Sequence, residues 1–295
     1  MEYRRLGRTD LEVSTVSLGG AYLMGGDPER AQESTCQVVQ RAFDLGINYI
    51  DTAPLYGKSE ELLGPALAGV KEPFYLATKV GFDPKDFDYR SDSVLWSLER
   101  SLKRLGLEKL TIAQIHEVNL PGWERIVEPG MMLDGLRAAQ ERGLCDYIGI
   151  TGRGIPLLAR LAATGEFDTV LVYHDYHPCC QKAAEEVIPA AAGQDMGIVA
   201  ATVLASGLFV GGEGQKEALG RIEDAGERKR AIGVLERLSE VEGTLPQKAF
   251  RYALADARIA TVSSGAANRA QLEEVAEAAD MGPLSQEVMD SLAAI

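Results

Sequence analysis

Short apolar runs typical of buried β-strands alternate with helix-forming segments along nearly the whole chain. This alternation is the pattern of repeated β-α units, in which each helix packs back onto a parallel sheet. The chain contains eight such runs. We predict strands at residues 16–18, 49–51, 75–79, 111–116, 147–151, 169–173, 198–201 and 259–263.

Segments with helical periodicity fill the connections between these runs. Gly46, Gly106 and Gly143 follow three of the segments, where a left-handed residue ends a helix, so the loops after them are expected to be short. We predict helices at residues 34–45, 60–67, 91–105, 131–142, 155–164, 183–194, 229–240 and 246–255.

Two features favour a closed barrel over an open, doubly wound sheet. Eight strands with crossover helices fit the roughly 250 residues typical of a TIM barrel, and the chain has 295 residues. The Gly-x-Gly-x-x-Gly sequence of Rossmann dinucleotide folds is absent after the first predicted strand. We therefore predict an α/β fold in which residues 1–295 form a single (β/α)8 TIM barrel domain.

Additional elements are expected at both ends of the barrel and after its seventh strand. Residues 3–6 and 11–13 flank a four-residue turn and predict an N-terminal β-hairpin. Residues 270–280 and 285–292 predict two extra C-terminal helices. The stretch 206–229 is rich in Gly, Glu and Lys, so we expect a long loop that serves as a lid.

Charge and composition exclude several classes of partner. The formal net charge is −14, and so acidic a surface repels phosphate backbones and anionic lipids, so nucleic acid and membrane partners are not expected. No apolar run reaches the roughly 18 to 20 residues that span a bilayer, and no apolar signal core follows Met1. The four cysteines are too sparse for a disulfide framework. We expect a cytoplasmic protein with reduced thiols.

Side chains that handle protons follow three successive predicted strands. Asp51 ends the second strand, Lys79 the third and His116 the fourth, and Tyr56 lies five residues beyond Asp51. Because the carboxyl ends of barrel strands form one face, these groups are expected to converge on one cavity. We expect Lys79 to lower the pKa of Tyr56, since a neighbouring ammonium favours the phenolate, and Asp51 to orient Lys79. His116 then adds a hydrogen bond to a substrate oxygen.

This set of groups suits reversible proton transfer at a carbonyl or an alcohol, with the hydride supplied by a nicotinamide cofactor. The Gly-x-Ser-x-Gly elbow of serine hydrolases is absent. His174, His177, Cys179 and Cys180 lie within seven residues, but adjacent cysteines chelate one ion poorly and no spaced Cys-x-x-Cys partner exists. We expect this segment to line a pocket without a metal, and a metal-dependent hydrolase is the alternative.

Three sequence motifs resemble those of the aldo-keto reductase family, and the resemblance extends over nearly the whole chain. Residues 46–57, Gly-Ile-Asn-Tyr-Ile-Asp-Thr-Ala-Pro-Leu-Tyr-Gly, resemble the family's second-strand signature. The triplets Ala-Thr-Lys at 77–79 and Gln-Ile-His at 114–116 match its lysine and histidine strands. The resemblance implies a TIM barrel that binds an extended NAD(P) without a Rossmann domain. It also implies Tyr56 as general acid/base, tuned by Lys79 and Asp51, with His116 orienting the carbonyl.

The resemblance further implies where the cofactor lies. Residues 201–208 resemble the family's pyrophosphate loop, although Ala201 stands where many relatives have an aromatic residue that stacks on the nicotinamide. Residues 263–274 resemble an adenosine phosphate loop that opens a helix, which is a natural anion site. The expected cofactor-binding residues are Gly20, Ala21, Asp51, Thr151, Thr202, Leu204, Ser206, Gly207, Gly265, Ala266, Arg269, Gln271 and Glu274.

The second cofactor loop predicts a preference for NAD over NADP. Gly265 and Gln271 occupy positions that are Lys and Arg in many NADP-dependent relatives. A 2′-phosphate needs positive charge, preferably a guanidinium, and only Arg269 remains in this loop.

The predicted substrate is a small aldose or another small aldehyde. Residues 147–152 are similar to the fifth strand of the sugar dehydrogenase branch, which includes L-galactose and D-threo-aldose dehydrogenases. This similarity implies oxidation of an aldose at its anomeric carbon to a lactone, or reduction of an aldehyde by the same residues in reverse. A nicotinamide-binding sensor or regulatory barrel with little turnover is the alternative. The candidate pocket residues are Tyr22, Phe82, Trp123, Tyr173, His174 and His177.

Overall fold

Eight parallel strands close into a barrel, and a two-stranded antiparallel hairpin precedes them. The structure is a computed structural model that describes residues 1–23, 30–81 and 88–295. Its strands are β1 (Tyr3–Arg5), β2 (Glu12–Ser14), β3 (Val16–Gly19), β4 (Tyr49–Asp51), β5 (Tyr75–Val80), β6 (Leu110–Ile115), β7 (Cys145–Gly152), β8 (Thr169–Tyr173), β9 (Gly197–Ala201) and β10 (Ile259–Ser264). Strands β3 to β10 pair in chain order, and β10 pairs with β3 to close the barrel. The predicted (β/α)8 barrel and its hairpin are confirmed.

Helices surround the barrel, and two of them follow the last strand. They are α1 (Ala31–Asp44), α2 (Ser59–Leu67), α3 (Ser91–Leu105), α4 (Gly122–Val127), α5 (Met132–Glu141), α6 (Ile155–Ala162), α7 (Lys182–Glu185), α8 (Val187–Gly193), α9 (Gly212–Arg221), α10 (Ala225–Ser239), α11 (Leu245–Leu254), α12 (Arg269–Met281) and α13 (Gln286–Ala293). None of these helices is long and apolar enough to cross a membrane, in the part of the chain that the structure describes.

Outside residues 206–229, the helical pattern differs from the sequence prediction in two places. The predicted helix at 183–194 is two helices, α7 and α8, because the backbone leaves the helical region at Glu186. Pro189, which has no N–H to donate, then lies in the first turn of α8, where none is needed. The short helix α4 was not predicted.

The stretch 206–229 was predicted to be a lid loop, but much of it is helical. Helix α9 fills its centre, and α10 begins within it. The start of α10 is fixed by Asp224, whose carboxylate accepts a 2.7 Å hydrogen bond from the backbone N–H of Glu227.

The core has two layers, one between strands and helices and one inside the barrel. Leu6 and Val13 of the hairpin pack with the lower inward side chains and close the barrel floor. Gly7 has a φ of +51° and lies against β9, where a Cβ would come within 2.3 Å of the backbone nitrogen of Gly197. The apolar floor leaves the opposite end, where the strands finish, for polar side chains.

Candidate active site

The four predicted catalytic residues lie together at the carboxyl end of the barrel. Asp51 is the last residue of β4, Lys79 lies near the end of β5, and His116 directly follows β6. Side chains alternate along a strand, and at these positions they point into the barrel. Tyr56 joins them from the loop after β4. Asp51 is 3% exposed and Lys79 is 1% exposed, so both charges are withdrawn from water.

A buried ion pair forms the base of the site. The ammonium of Lys79 donates to Oδ1 of Asp51 and, at 2.9 Å, to the carbonyl oxygen of Thr52. The amide of Gln114 donates to Oδ2 of Asp51 at 2.8 Å. Each oxygen of the carboxylate therefore accepts one side-chain hydrogen bond, which buried charges require.

Tyr56 lies directly above this pair. The Nζ atom of Lys79 is 4.8 Å from the centroid of the Tyr56 ring. The ring of His116 meets the Tyr56 ring edge to face, with centroids 5.6 Å apart and the planes at 90°. Phenol, ammonium and imidazole thus border the same small volume at the barrel mouth.

Hydrogen bonds hold the loop that carries Tyr56. The backbone N–H of Tyr56 donates to Ala53, and that of Ser59 donates to Tyr56. The hydroxyls of Thr52 and Ser59 are 2.8 Å apart, and a Cβ at Gly20 would lie 2.4 Å from the Ser59 oxygen. Gly20, which was predicted to contact the cofactor, leaves the space in which this loop packs.

The pKa of Tyr56 shifts in the direction opposite to the one predicted from the sequence. Burial raises the pKa of Tyr56, and the ammonium of Lys79 lowers it by less. The net shift is upward, whereas Lys79 alone was expected to bring the pKa down. Burial is the largest single effect on Lys79 and opposes its charge, but the Asp51 carboxylate and the Tyr56 side chain together outweigh burial and raise the pKa of Lys79. Lys79 therefore remains an ammonium and Tyr56 a neutral phenol in the neutral range.

His116 is held in its neutral form. Burial, assisted by the nearby charge of Lys79, lowers the pKa of His116 to about 3. At neutral pH the ring therefore carries one N–H and is a neutral hydrogen-bonding group beside Tyr56.

The predicted cofactor residues all lie on this face of the barrel. Thr151 is an inward residue near the end of β7, and its hydroxyl oxygen is buried without a hydrogen-bond partner among the described residues. Asp51 ends β4, and the remaining residues lie in three places: Gly20 and Ala21 follow β3; Thr202, Leu204, Ser206 and Gly207 follow β9; and Gly265, Ala266, Arg269, Gln271 and Glu274 follow β10.

The loop after β9 has an unusual backbone. Thr202, Ala205 and Ser206 have φ values of 56°, 49° and 53°, in the left-handed region that non-glycine residues seldom adopt. The Ser206 hydroxyl is 2.9 Å from Nε2 of His174, and Arg221 donates to the Ser206 carbonyl at 2.9 Å. Strained positions of this kind concentrate at ligand sites.

The loop after β10 opens α12. Asn268 caps the helix by accepting a 3.0 Å hydrogen bond from the backbone N–H of Gln271. The Gln271 side chain accepts one from the N–H of Ala267 at 2.9 Å. Arg269 lies 3.8 Å from the Glu273 carboxylate.

A model of the aldo/keto reductase family matches residues 15–295. The chain belongs to the aldo/keto reductase family. It is therefore an oxidoreductase of a family that uses nicotinamide cofactors.

Known members of the family resemble the chain over most of its length. L-galactose dehydrogenase of Arabidopsis thaliana is 29% identical over 310 residues, which cover 100% of this chain and 94% of that protein. D-threo-aldose 1-dehydrogenase of a Pseudomonas species is 28% identical over 271 residues, 81% of each protein. The solved structure of aldo-keto reductase AKR11C1 from Bacillus halodurans, in its holo form, has a TM-score of 0.81 at 24% identity, covers 100% of this chain and 96% of its own, and supports the fold.

The site of this aldo/keto reductase fits a nicotinamide dinucleotide. The Thr151 hydroxyl, which has no hydrogen-bond partner among the described residues, lies near the carboxyl end of β7, where it can hydrogen-bond to an amide group. The strained loop after β9 and the amino end of α12 offer backbone N–H groups to phosphates. Gly265 has no side chain, and a Cβ there would lie 2.7 Å from the Tyr22 ring, so Tyr22 closes over this loop.

The predicted pocket residues of the aldo/keto reductase have different surroundings. Tyr22 is 62% exposed at the rim. Tyr173 donates a hydrogen bond from its hydroxyl to Glu117, and His174 shares a hydrogen bond with the Ser206 hydroxyl. Trp123 of α4 is partly buried, with the guanidinium of Arg160 3.5 Å from its ring centroid. Phe82 lies outside the described residues.

Two polar residues of the aldo/keto reductase site were not predicted. Gln114 donates a hydrogen bond to Asp51. It lies two residues before His116 and so on the same inward side of the strand, which is the sequence signal that could have predicted it. Glu117 directly follows His116 and has a φ of +73°, which no sequence pattern reports.

The His174 to Cys180 segment lies beside the cofactor loop. The Nδ1 atom of His177 accepts a hydrogen bond from the backbone N–H of Cys179, and the His177 ring packs against Phe209. Within residues 1–23, 30–81 and 88–295, no group of three or more His, Cys, Asp or Glu side chains is arranged to hold a metal ion.

The buried His177 predicts a specific pH dependence of stability. Burial lowers the pKa of His177 to about 3, while an unfolded histidine titrates near 6.5. Below about pH 6.5 the unfolded chain binds more protons than the folded chain. The contribution of neutral His177 to the free energy of unfolding is therefore complete above that pH. It is lost as the pH falls towards the pKa of His177 in the folded protein.

The variant His177→Asn tests this dependence, since an amide oxygen can accept from Cys179 but cannot titrate. We expect the slope of unfolding free energy against pH, in the range below about 6.5, to decrease by up to about 1.4 kcal/mol per pH unit. Urea unfolding of parent and variant at several pH values measures this slope. Equal slopes would contradict the assignment of a neutral, buried His177.

Proposed function

We propose that this aldo/keto reductase transfers a hydride between a nicotinamide cofactor and the carbonyl or hemiacetal carbon of a small aldose or aldehyde, with Tyr56 as general acid/base. One observation carries the proposal. The Tyr56 phenol lies between a buried Lys79–Asp51 ion pair and a neutral imidazole at the open end of the barrel. Relatives named L-galactose dehydrogenase and D-threo-aldose 1-dehydrogenase support a sugar as substrate.

The protein residues would manage the proton. In the reductive direction Tyr56 gives its phenolic proton to the carbonyl oxygen as the carbonyl carbon accepts the hydride, and an alcohol results. In the oxidative direction the substrate hydroxyl returns its proton to Tyr56. The Lys79 ammonium stabilises the phenolate, and Asp51 holds Lys79 in place. Neutral His116 can donate its N–H to the same substrate oxygen and so orient the carbonyl.

When bound, the nicotinamide cofactor supplies or accepts the hydride. Thr151 would bind its carboxamide, the loop at 202–207 its diphosphate, and the residues at the start of α12 the phosphate of its adenosine half. The absence of an aromatic side chain at Ala201 leaves the nicotinamide without a stacking partner at that position.

We propose NAD as the preferred cofactor. A 2′-phosphate is bound best by a free guanidinium. In the loop after β10, Arg269 lies beside Glu273, the Gln271 side chain binds the backbone, and the Tyr22 ring occupies the space that a side chain at position 265 would need.

The variant Gln271→Arg should increase NADP affinity, because it places a guanidinium at the loop without disturbing Gly265. We expect the Kd for NADP to fall about tenfold. This corresponds to the lower end of the free energy that one hydrogen bond to a charged group contributes. Fluorescence titration with NAD and NADP measures the effect, with NAD as the internal control. Tighter binding of NADP than NAD by the parent protein would contradict the preference.

A substrate screen tests the proposed function. Absorbance of reduced nicotinamide is followed with NAD and with NADP, against a panel of aldoses and simple aldehydes and in both directions. We expect turnover of at least one aldose or aldehyde. Tight cofactor binding with no turnover of the panel would instead favour a sensor or regulatory role.

A further inference from the structure

The amide of Gln114 has an unusual place inside the barrel. Gln114 is fully buried on β6, and its Nε2 atom donates to Oδ2 of Asp51 at 2.8 Å. Strand β5 lies between the two strands, and its residue in register with Asp51 is Ala77. The Ala77 side chain is a single methyl group, which leaves room for Gln114 to reach past β5 to the carboxylate.

The surroundings make an amide at this position costly for folding. The Oε1 atom of Gln114 is buried and has no hydrogen-bond partner among the residues that the structure describes, and the same holds for the hydroxyl of Thr169. An unpartnered buried acceptor destabilises a fold, and a leucine would avoid it. Because a carboxylate is only an acceptor, the amide must turn its N–H groups towards Asp51 and leave Oε1 on the other side.

The neighbouring strand makes space for this side chain. Gly149 of β7 is in register with Gln114 on one side and with Thr169 on the other. A Cβ at Gly149 would lie 3.2 Å from Cγ of Gln114 and 2.2 Å from the Thr169 hydroxyl oxygen. The glycine at position 149 thus leaves space for the Gln114 side chain.

We propose that Gln114 is a positioning residue for catalysis, which holds the Asp51 carboxylate so that its other oxygen binds the Lys79 ammonium beneath Tyr56. The proposal rests on the proposed function of Tyr56, Lys79 and Asp51. Lys79 meets one oxygen of Asp51 and Gln114 meets the other, so the carboxylate cannot rotate without breaking one of the two bonds. Gln114 itself acts only through Asp51.

The variant Gln114→Glu gives the sharpest test. A protonated Glu can donate to Asp51 as the amide does, whereas an ionised Glu cannot. Burial and the Asp51 charge raise the pKa of such a Glu above its ordinary value of about 4.3, against the opposing charge of Lys79, which is in register with position 114 on β5. We therefore expect activity close to that of the parent at acidic pH and a new loss of activity as the pH rises.

The groups that face Asp51 do not titrate in the pH range in which this new loss of activity is expected. The pKa values of Lys79, Tyr56 and Tyr49 are raised above their ordinary values, and that of His116 is lowered to about 3. None of the four changes charge in the neutral range.

Two further variants separate positioning from packing. Gln114→Leu and Gln114→Met fill the space but cannot donate, and we expect kcat/KM to fall about 10- to 100-fold at every pH, as for loss of one hydrogen bond to a charged group. Tm should fall only modestly, because the variants take the donor from Oδ2 of Asp51 but also remove Oε1, a buried acceptor with no partner among the described residues. Cofactor Kd should change far less than kcat/KM.

Gln247→Met is the matched control. Gln247 is also a buried glutamine whose amide donates to a carboxylate, that of Glu277 at 2.9 Å, but it lies on α11 outside the barrel. Its replacement should lower Tm and leave kcat/KM and the pH profile as in the parent. The proposal is overturned if the Gln114 variants keep parental activity, or if the activity of Gln114→Glu does not fall as the pH rises. Full activity of Tyr56→Phe would instead refute the proposed function itself.

Discussion

The variant Tyr56→Phe is expected to lower kcat/KM by at least about 100-fold, within the range that general acid/base groups contribute. The phenylalanine ring keeps the edge-to-face contact with His116 and removes only the hydroxyl that exchanges the proton. Cofactor Kd and Tm should remain near the parental values, since no cofactor loop is altered. Steady-state kinetics in both directions and a cofactor titration measure these effects.

Tyr147→Phe is a control at the other end of the same barrel. Its hydroxyl donates to the Thr9 carbonyl at 2.9 Å, near the floor. Loss of this hydroxyl should affect stability alone. If Tyr56→Phe turns over as fast as Tyr147→Phe, Tyr56 is not the acid/base group.

The variant Lys79→Met should lose both activity and stability. It removes the charge that stabilises the phenolate and leaves the Asp51 carboxylate buried without its cation. Breaking a buried ion pair on one side costs about 3–5 kcal/mol of unfolding free energy. Denaturant unfolding and kcat/KM are the two measurements.

The double variant Asp51→Asn/Lys79→Met distinguishes the two losses. With both charges removed, much of the lost stability should return, because no uncompensated charge remains. Activity should not return, since the phenolate still lacks its ammonium. A double variant that recovers both would show that Lys79 serves only the fold, and one that recovers neither would show that the ion pair is not the source of the instability.

The barrel and the placement of Asp51, Lys79 and His116 could be predicted because both follow from strand periodicity. Side chains alternate across a strand, and the ends of parallel strands meet on one face, so a polar residue at the end of an apolar run must lie near its counterparts. Tyr56 could be placed near them only through its short distance from Asp51 along the chain.

Other features depend on contacts between distant residues and carry no local signal. The contact of Trp123 with Arg160 of another helix is one such feature. The net direction of the Tyr56 pKa shift depends on how far the ring is buried, which the sequence does not give. The helical part of the stretch after β9 was missed because its glycines suggest a loop, although Asp224 provides a helix cap.

Transfer of deuterium from a substrate labelled at its reacting carbon tests the central claim most directly. An aldose that carries deuterium at carbon 1 is incubated with the enzyme and oxidised nicotinamide cofactor, and the reduced cofactor is examined by mass spectrometry. We predict one deuterium in each molecule of reduced nicotinamide formed, because the hydride moves directly from that carbon while Tyr56 takes only the hydroxyl proton. Reduced nicotinamide without deuterium would contradict direct transfer at the barrel mouth.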